Sequence, residues 1–139
     1  MSRRGSALVL ALACAGFACG GNDNVGPRPA PPPPPAEAGP IDFAVTTPAT
    51  HQHGALLVTI GGGTVDSVAG MQGYDVFHSI TSTGARAMVF GAIVDGRLIR
   101  VWVPDASQAV RYSVQVDEGA VRGTYEVLPG SRYQVTRQP

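Results

Sequence analysis

The sequence contains no lysine; its ten basic residues are all arginine. It has no cysteine after Cys19, so the 120 residues beyond hold no disulfide and no thiolate metal site. The absence of later thiols suits an exported chain, where a spare thiol is an oxidation liability. Aromatic residues make up 6% and charged residues 14% of the chain. Between residues 41 and 139, seven arginines stand against eight carboxylates, a formal charge of −1. That balance provides no basic patch for nucleic acid. No internal repeat and no helical-period run of useful length is present. The chain beyond the N-terminus is therefore expected to be strand-built, and its partners to exclude nucleic acid.

What is present begins with a secretory pattern. Arg3 and Arg4 supply a positive start, and Gly5 to Gly21 is uncharged and rich in Ala, Leu, Val and Phe. A signal h-region is ~7–15 apolar residues closed by small residues. A membrane-spanning helix needs ~20, and this run is shorter and ends in a polar, chain-breaking stretch. The expected signal peptide is 1–18. The two cysteines sit in the uncharged run, in "ALAC" ending at Cys14 and "GFAC" ending at Cys19.

Both segments resemble the lipobox of bacterial lipoproteins, in which small residues precede a cysteine that takes a diacylglycerol thioether. "ALAC" fits the box better. Cys19 fits the context better, with a long uncharged segment before it and polar "GGNDN" after it. The reading chosen is lipidation at Cys19, with Cys14 as the alternative. It implies a partner membrane reached through the N-terminal lipid. The location is then the cell envelope, at the outer membrane or the periplasmic face rather than in the cytoplasm.

Residues 19–40 are expected to be a tether. Residues 20 to 40 hold eight of the twelve prolines, five of them consecutive at Pro31–Pro35. Proline lacks an amide donor and fixes φ, so the run favours polyproline II at ~3.1 Å per residue and spans roughly 60 Å when extended.

Residues 41–139 are about one small domain. Short runs of Val, Ile, Thr, Tyr and Phe alternate with Gly, Asp, Pro and Ser. The expected strands are 41–47, 55–60, 64–70, 74–80, 86–94, 97–103, 110–116, 120–127 and 131–136. The fold class is all-β, an antiparallel β-sandwich of about nine strands. In 110–116, Val110, Tyr112, Val114 and Val116 are expected inward. Asp117-Glu118-Gly119 is expected to be a turn.

Asp95-Gly96 is a strong two-residue turn signal, since type I′ needs positive φ at both central positions. The hairpin it predicts pairs Val94 with Arg97, Ala92 with Ile99, Phe90 with Val101 and Met88 with Val103. Its core face is then Met88, Phe90, Ala92, Ile99, Val101 and Val103. The other face carries Ala87, Val89, Gly91, Ile93, Leu98, Arg100 and the single tryptophan, Trp102. Trp102 and Arg100 are the candidate ligand-binding residues: a flat apolar ring beside guanidinium donors suits a sugar ring or a partner protein. The alternative places Trp102 under a loop, with Arg100 at its edge.

Catalytic chemistry is not expected, nor is a metal or a cofactor. "HQH" at 51–53 and His78 are possible metal ligands by type, yet no carboxylate or cysteine stands at ligand spacing beside them. His51 and His53 are expected in a surface loop. "GGGT" at 61–64 lacks a following helix and the phosphate-binding lysine. Asp66-Ser67 has no histidine near it in sequence, and Asp117-Glu118 supplies too few oxygens for calcium.

The runs "TTPATHQHGALLVTIGGGTVDSV", "LIRVWVPD" and "VRYSVQV" resemble the early and late strands of cohesin-like domains. That resemblance implies a nine-stranded jelly-roll sandwich that binds other proteins; related sandwiches bind carbohydrate. The function expected is a lipid-anchored envelope protein presenting a cohesin-like sandwich for protein or glycan recognition. The alternatives are a structural subunit of an envelope complex and a histidine-dependent metal-binding protein or hydrolase.

Overall fold

The computed structural model describes Gly26 and residues 29–139. The signal segment and both cysteines, Cys14 and Cys19, lie outside the described residues. The chain divides at Pro33/Pro34, and every strand belongs to the Pro34–Pro139 unit. Pro29 to Ala38 is exposed and holds no helix or strand.

Nine strands are present among the described residues: β1 (Gly39–Thr46), β2 (His53–Gly61), β3 (Ser67–Gly70), β4 (Asp75–Thr81), β5 (Gly84–Ile93), β6 (Gly96–Val103), β7 (Ser113–Val121), β8 (Val127–Pro129) and β9 (Gln134–Arg137). They form a four-stranded sheet in the order β3-β6-β1-β9 and a five-stranded sheet in the order β4-β5-β2-β7-β8. All pairings are antiparallel. The fold is an all-β sandwich, as the short alternating runs predict. Two short 3-10 turns, Ala106–Arg111 and Gly130–Arg132, precede β7 and β9.

Alternation explains which side of each strand is buried. Ile41, Phe43 and Val45 of β1 point inward, as do Leu56, Val58 and Ile60 of β2. They join Ala85, Ala87 and Val89 of β5 and Val114 and Val116 of β7 in one apolar cluster. Burying one Val, Leu or Ile side chain stabilises a fold by roughly 1.5–3 kcal/mol, so this two-sided cluster is what holds the sheets together.

Three β-bulges interrupt the alternation, and each re-aims side chains. In β6 the partners of Phe43 and Ala44 are Ile99 and Arg97, which leaves Leu98 as the extra residue. Leu98 and Ile99 are consequently both buried. In β7 the partners of Leu57 and Val58 are Glu118 and Val116, leaving Asp117 extra. The "DEG" run is therefore the bulged middle of β7, not a turn. In β2 the partners of His53 and Ala55 are the consecutive residues Val121 and Ala120, so Gly54 is the extra residue. That insertion inverts the phase of β2 and turns His53 into the core.

The expected hairpin at Asp95-Gly96 does not form. β5 and β6 belong to different sheets, and Asp95-Gly96 is the corner between them. Gly96 has positive φ but Asp95 does not, which excludes a type I′ turn. Asp95 instead accepts hydrogen bonds from Thr47 N at 2.7 Å and Thr47 Oγ1 at 2.8 Å. These bonds hold its carboxyl below the usual carboxylate range and tie the corner to the end of β1. Without the hairpin, the face assigned to β5 is reversed. Ala87, Val89 and Ile93 are buried, while Met88, Phe90 and Ala92 face solvent. For β6 the expected inward residues Ile99, Val101 and Val103 are indeed buried. Val110 falls in a 3-10 turn and is exposed rather than inward, whereas Tyr112, Val114 and Val116 are buried. In "TVDSVAG" the strand starts only at Ser67.

Candidate functional site

Arg100 and Trp102 alternate with the buried residues of β6, so both lie on the outer face of the four-stranded sheet. β6 is an interior strand of that sheet, between β3 and β1. Directly across on β1, Asp42 opposes Arg100 and Pro40 opposes Trp102. On β3, Ala69 opposes Arg100 and Ser67 opposes Trp102. Small neighbours thus flank the two large side chains, and Trp102 is half-buried.

Asp42 grips Arg100 with two parallel hydrogen bonds. Nε donates to Oδ1 at 2.6 Å and Nη2 donates to Oδ2 at 2.8 Å. Such fork-to-fork pairs are stronger and more directional than single ionic contacts. The bond from Arg100 is the main reason that Asp42 is held below the usual carboxylate range, with the nearby Arg97 charge helping. Arg100 is raised in turn. The guanidinium carbon stands 6.0 Å from the centre of the Trp102 ring, within cation–π reach. Three groups thus stand side by side on this face: a carboxylate, a guanidinium whose remaining Nη1 edge is not used by Asp42, and an indole. Beside it a cleft of about 380 Å³ is lined by Pro40, Asp42, Arg100, Ala109, Arg137 and Gln138, among others. Its size falls within the range of small-ligand sites.

Sequence reasoning put forward Arg100 and Trp102 as candidates and did not include Asp42. The alternation of "IDFAVTT" places Asp42 on the polar side of β1. Its partner is 58 residues away, and only the β1–β6 pairing brings the two together.

The histidines do not converge. His53 is 1% exposed and sits in the core, not in a surface loop. Its Nδ1 lies 2.9 Å from Tyr133 Oη and its Nε2 lies 3.3 Å from the Pro48 carbonyl oxygen. A carbonyl only accepts, so Nε2 carries the proton; in the neutral ring Nδ1 then accepts from the Tyr133 hydroxyl. Both ring nitrogens are occupied, and the ring packs edge-on against Tyr133 at 5.1 Å. His51 is exposed and lines a separate cleft of about 390 Å³ with Thr47, Pro48, His53, Asp95 and Arg122. His78, on β4, lies opposite Ala87, which in turn pairs with Val58. Five residues of β2, roughly 16 Å, separate that row from His53. Among the described residues no group of three His, Cys, Asp or Glu stands close enough to hold a metal ion.

The remaining motifs have structural explanations. In "GGGT", Gly62 has positive φ, and a Cβ there would strike the Arg111 carbonyl, so the glycine serves a close chain crossing. Asp66 N donates to the Trp102 carbonyl at 2.8 Å, which continues the β3–β6 edge. Asp117, set outward by its bulge, accepts from Thr59 Oγ1 at 2.8 Å and from Arg86 Nη2 at 3.3 Å.

A second surface feature lies on the outer face of the five-stranded sheet. One cross-strand row there runs Phe77, Met88, Leu57 and Glu118; the next runs Asp75, Phe90, Ala55 and Ala120, with Val127 beyond. Phe77 is 70% and Val127 61% exposed. Phe77 and Phe90 meet edge to face at 5.8 Å. No protein-family model, curated protein or solved structure matches this chain.

Proposed function

We propose that the chain is a lipid-anchored, non-catalytic protein of the cell envelope whose sandwich recognises a protein or carbohydrate partner. The observation that carries the recognition reading is the Asp42–Arg100–Trp102 cluster, whose ion pair lines the adjoining cleft. An aromatic ring next to a rigid pair of planar polar groups is the combination that sugar rings and polar protein surfaces bind: apolar stacking with directional donors and acceptors. The resemblance to cohesin-like domains points the same way. The early cysteines, the apolar run before them and the proline tether support the anchor, with Cys19 as the lipidated residue and Cys14 as the alternative. Neither metal nor cofactor enters this reading.

A second reading, a structural subunit of an envelope complex, is favoured by one specific observation. The rows containing Phe77, Met88, Phe90 and Val127 leave large apolar groups in solvent, and contiguous apolar patches mark protein contacts.

One experiment tests anchor and surface together. Cells expressing the chain are labelled with a radioactive fatty acid, and the solubilised protein is bound to isolated envelope glycans and envelope proteins. Label is expected on the natural chain and on Cys14→Ser, and absent from Cys19→Ser. Binding is expected to fall at least ~10-fold in Trp102→Ala, about 1.4 kcal/mol. Label that survives in both single variants and their double variant refutes the anchor. Binding that ignores Trp102 but is lost in Phe77→Ser selects the second reading.

A further inference from the structure

Two open sheets have four edge strands, and here they differ. β3 and β9 have four residues each, and β8 has three and ends in Pro129. β4 has seven. An edge strand presents unpaired N–H and C=O groups, and proteins commonly blunt it by shortness, proline or positive charge. Three of these edges are short. β4 is long, has no proline and no arginine, and carries one formal charge, Asp75, at its first position.

The direction of its free backbone groups follows from the hairpin it forms. Thr81 pairs with Gly84, so Ser82-Thr83 is a two-residue turn. The closing pair of such a turn is hydrogen-bonded, and bonded and non-bonded pairs then alternate. Asp75, Phe77, Ser79 and Thr81 therefore direct their backbone groups toward β5. Val76, His78 and Ile80 direct theirs away from the sheet. Among the described residues β5 is the only strand that pairs with β4, and no turn or loop bonds to these three. Ile80 is 44% exposed at the same edge.

We propose that β4 is a pairing edge for a second copy of this chain. Two β4 strands join antiparallel about a two-fold axis at His78, and two five-stranded sheets merge into one of ten. The second copy is chosen because the strand is complementary to itself. A register centred on a residue, rather than between two residues, brings outward groups face to face. Centring on His78 engages the most of them: His78 with His78, and Val76 with Ile80 twice, six hydrogen bonds in all. In that register exposed Ile80 packs on Val76 and Phe77 faces Ser79. Each Asp75 faces Thr81, so the one charged residue of the strand meets no like charge. The outer faces of both sheets remain free, so this inference does not depend on the recognition reading.

The test is register-specific cross-linking of the purified full-length chain in mild detergent, with Cys14 and Cys19 changed to serine. His78→Cys is expected to give a disulfide-linked dimer on mild oxidation, since bonded cross-strand partners stand ~5.5 Å apart at Cα. Ser107→Cys and Arg86→Cys, away from the axis, are expected to give at least ~10-fold less. A mixture of Val76→Cys and Ile80→Cys chains is expected to give the mixed dimer in preference to either self-linked one. Adding Ile80→Pro to His78→Cys removes an outward donor without touching the β4–β5 ladder, and should reduce cross-linking at least ~10-fold. Should that variant misfold by circular dichroism, Ile80→Lys asks the same question with a charge. Cross-linking at position 78 no greater than at 107 overturns the proposal. So does capture of a foreign extended peptide by β4 with no self-linked dimer at any concentration reached.

Discussion

Removing one oxygen atom, in Tyr133→Phe, should cost this domain a large part of its stability. Tyr133 and His53 are both buried, and the 2.9 Å bond between them satisfies His53 Nδ1 in a place that water does not reach. Phenylalanine keeps the ring and its packing but leaves Nδ1 without a donor. A buried polar atom left unpaired costs about 1–3 kcal/mol. For a domain of about 100 residues each kcal/mol lowers Tm by roughly 4–8 °C, so a fall of about 5–20 °C is expected. Urea unfolding should show a lower midpoint with an unchanged slope. Replacing both partners should be much milder than the sum of the single changes. The double variant His53→Leu/Tyr133→Phe no longer buries an orphaned nitrogen, and a coupling of at least ~1 kcal/mol is expected. The pair also sets an alkaline limit. Burial holds the Tyr133 phenol above its ordinary value near 10. The folded state thus keeps a proton that the unfolded chain has already lost. This contribution is fully present below about pH 10 and is lost as the pH rises through the higher folded value. Tyr133→Phe has no such proton, so its stability should lack that alkaline decline. A Tm within ~2 °C of the natural chain, additive single and double variants, or an unchanged alkaline limb would each refute the reasoning.

Two further outcomes are expected. Gly119→Ala places a Cβ against Tyr133 Oη and 2.9 Å from Leu56 Cδ2, so a loss of about 1–3 kcal/mol is expected in urea titration, partly relieved when combined with Tyr133→Phe. Asp42 is held low chiefly by Arg100, so its contribution is present above the ordinary carboxylate pKa near 4 and is lost as pH falls through the lower folded value. Asp42→Asn should flatten the acid limb of a Tm–pH profile below about pH 4, and an unchanged limb would count against the ion pair.

Much of the architecture can be read in particular residues. The period-2 pattern of "IDFAVTT" and "VRYSVQV" foretells Phe43, Val45, Tyr112, Val114 and Val116 as core. The alternation of β6 puts Arg100 and Trp102 together on one side. Where the pattern misleads, the cause is an insertion of one residue. Gly54 reverses the phase of β2, so that His53 is core although its neighbours in sequence are loop. Asp117 makes a turn-like "DEG" into the middle of a strand. Such bulges leave no mark that local propensity can distinguish from a turn. The Asp95-Gly96 error is of another kind. The dipeptide does mark a change of direction, but whether the chain returns beside β5 or crosses to the other sheet is decided by what β6 meets there.

Composition and local order, then, were enough to specify a strand-built fold, the inward faces of β1 and β6, a proline-rich segment before the strands and an N-terminus with a lipobox-like pair of cysteines. These depend on forces acting within a few residues: side-chain alternation, fixed φ at proline and burial of apolar runs. Tertiary structure alone decided that Asp42 locks Arg100 beside Trp102, that Tyr133 reaches His53 across 80 residues of chain, and that β4 is left as the long open edge. Each is a contact between strands remote in sequence, fixed by which sheets form and in what register, and no local preference carries that information.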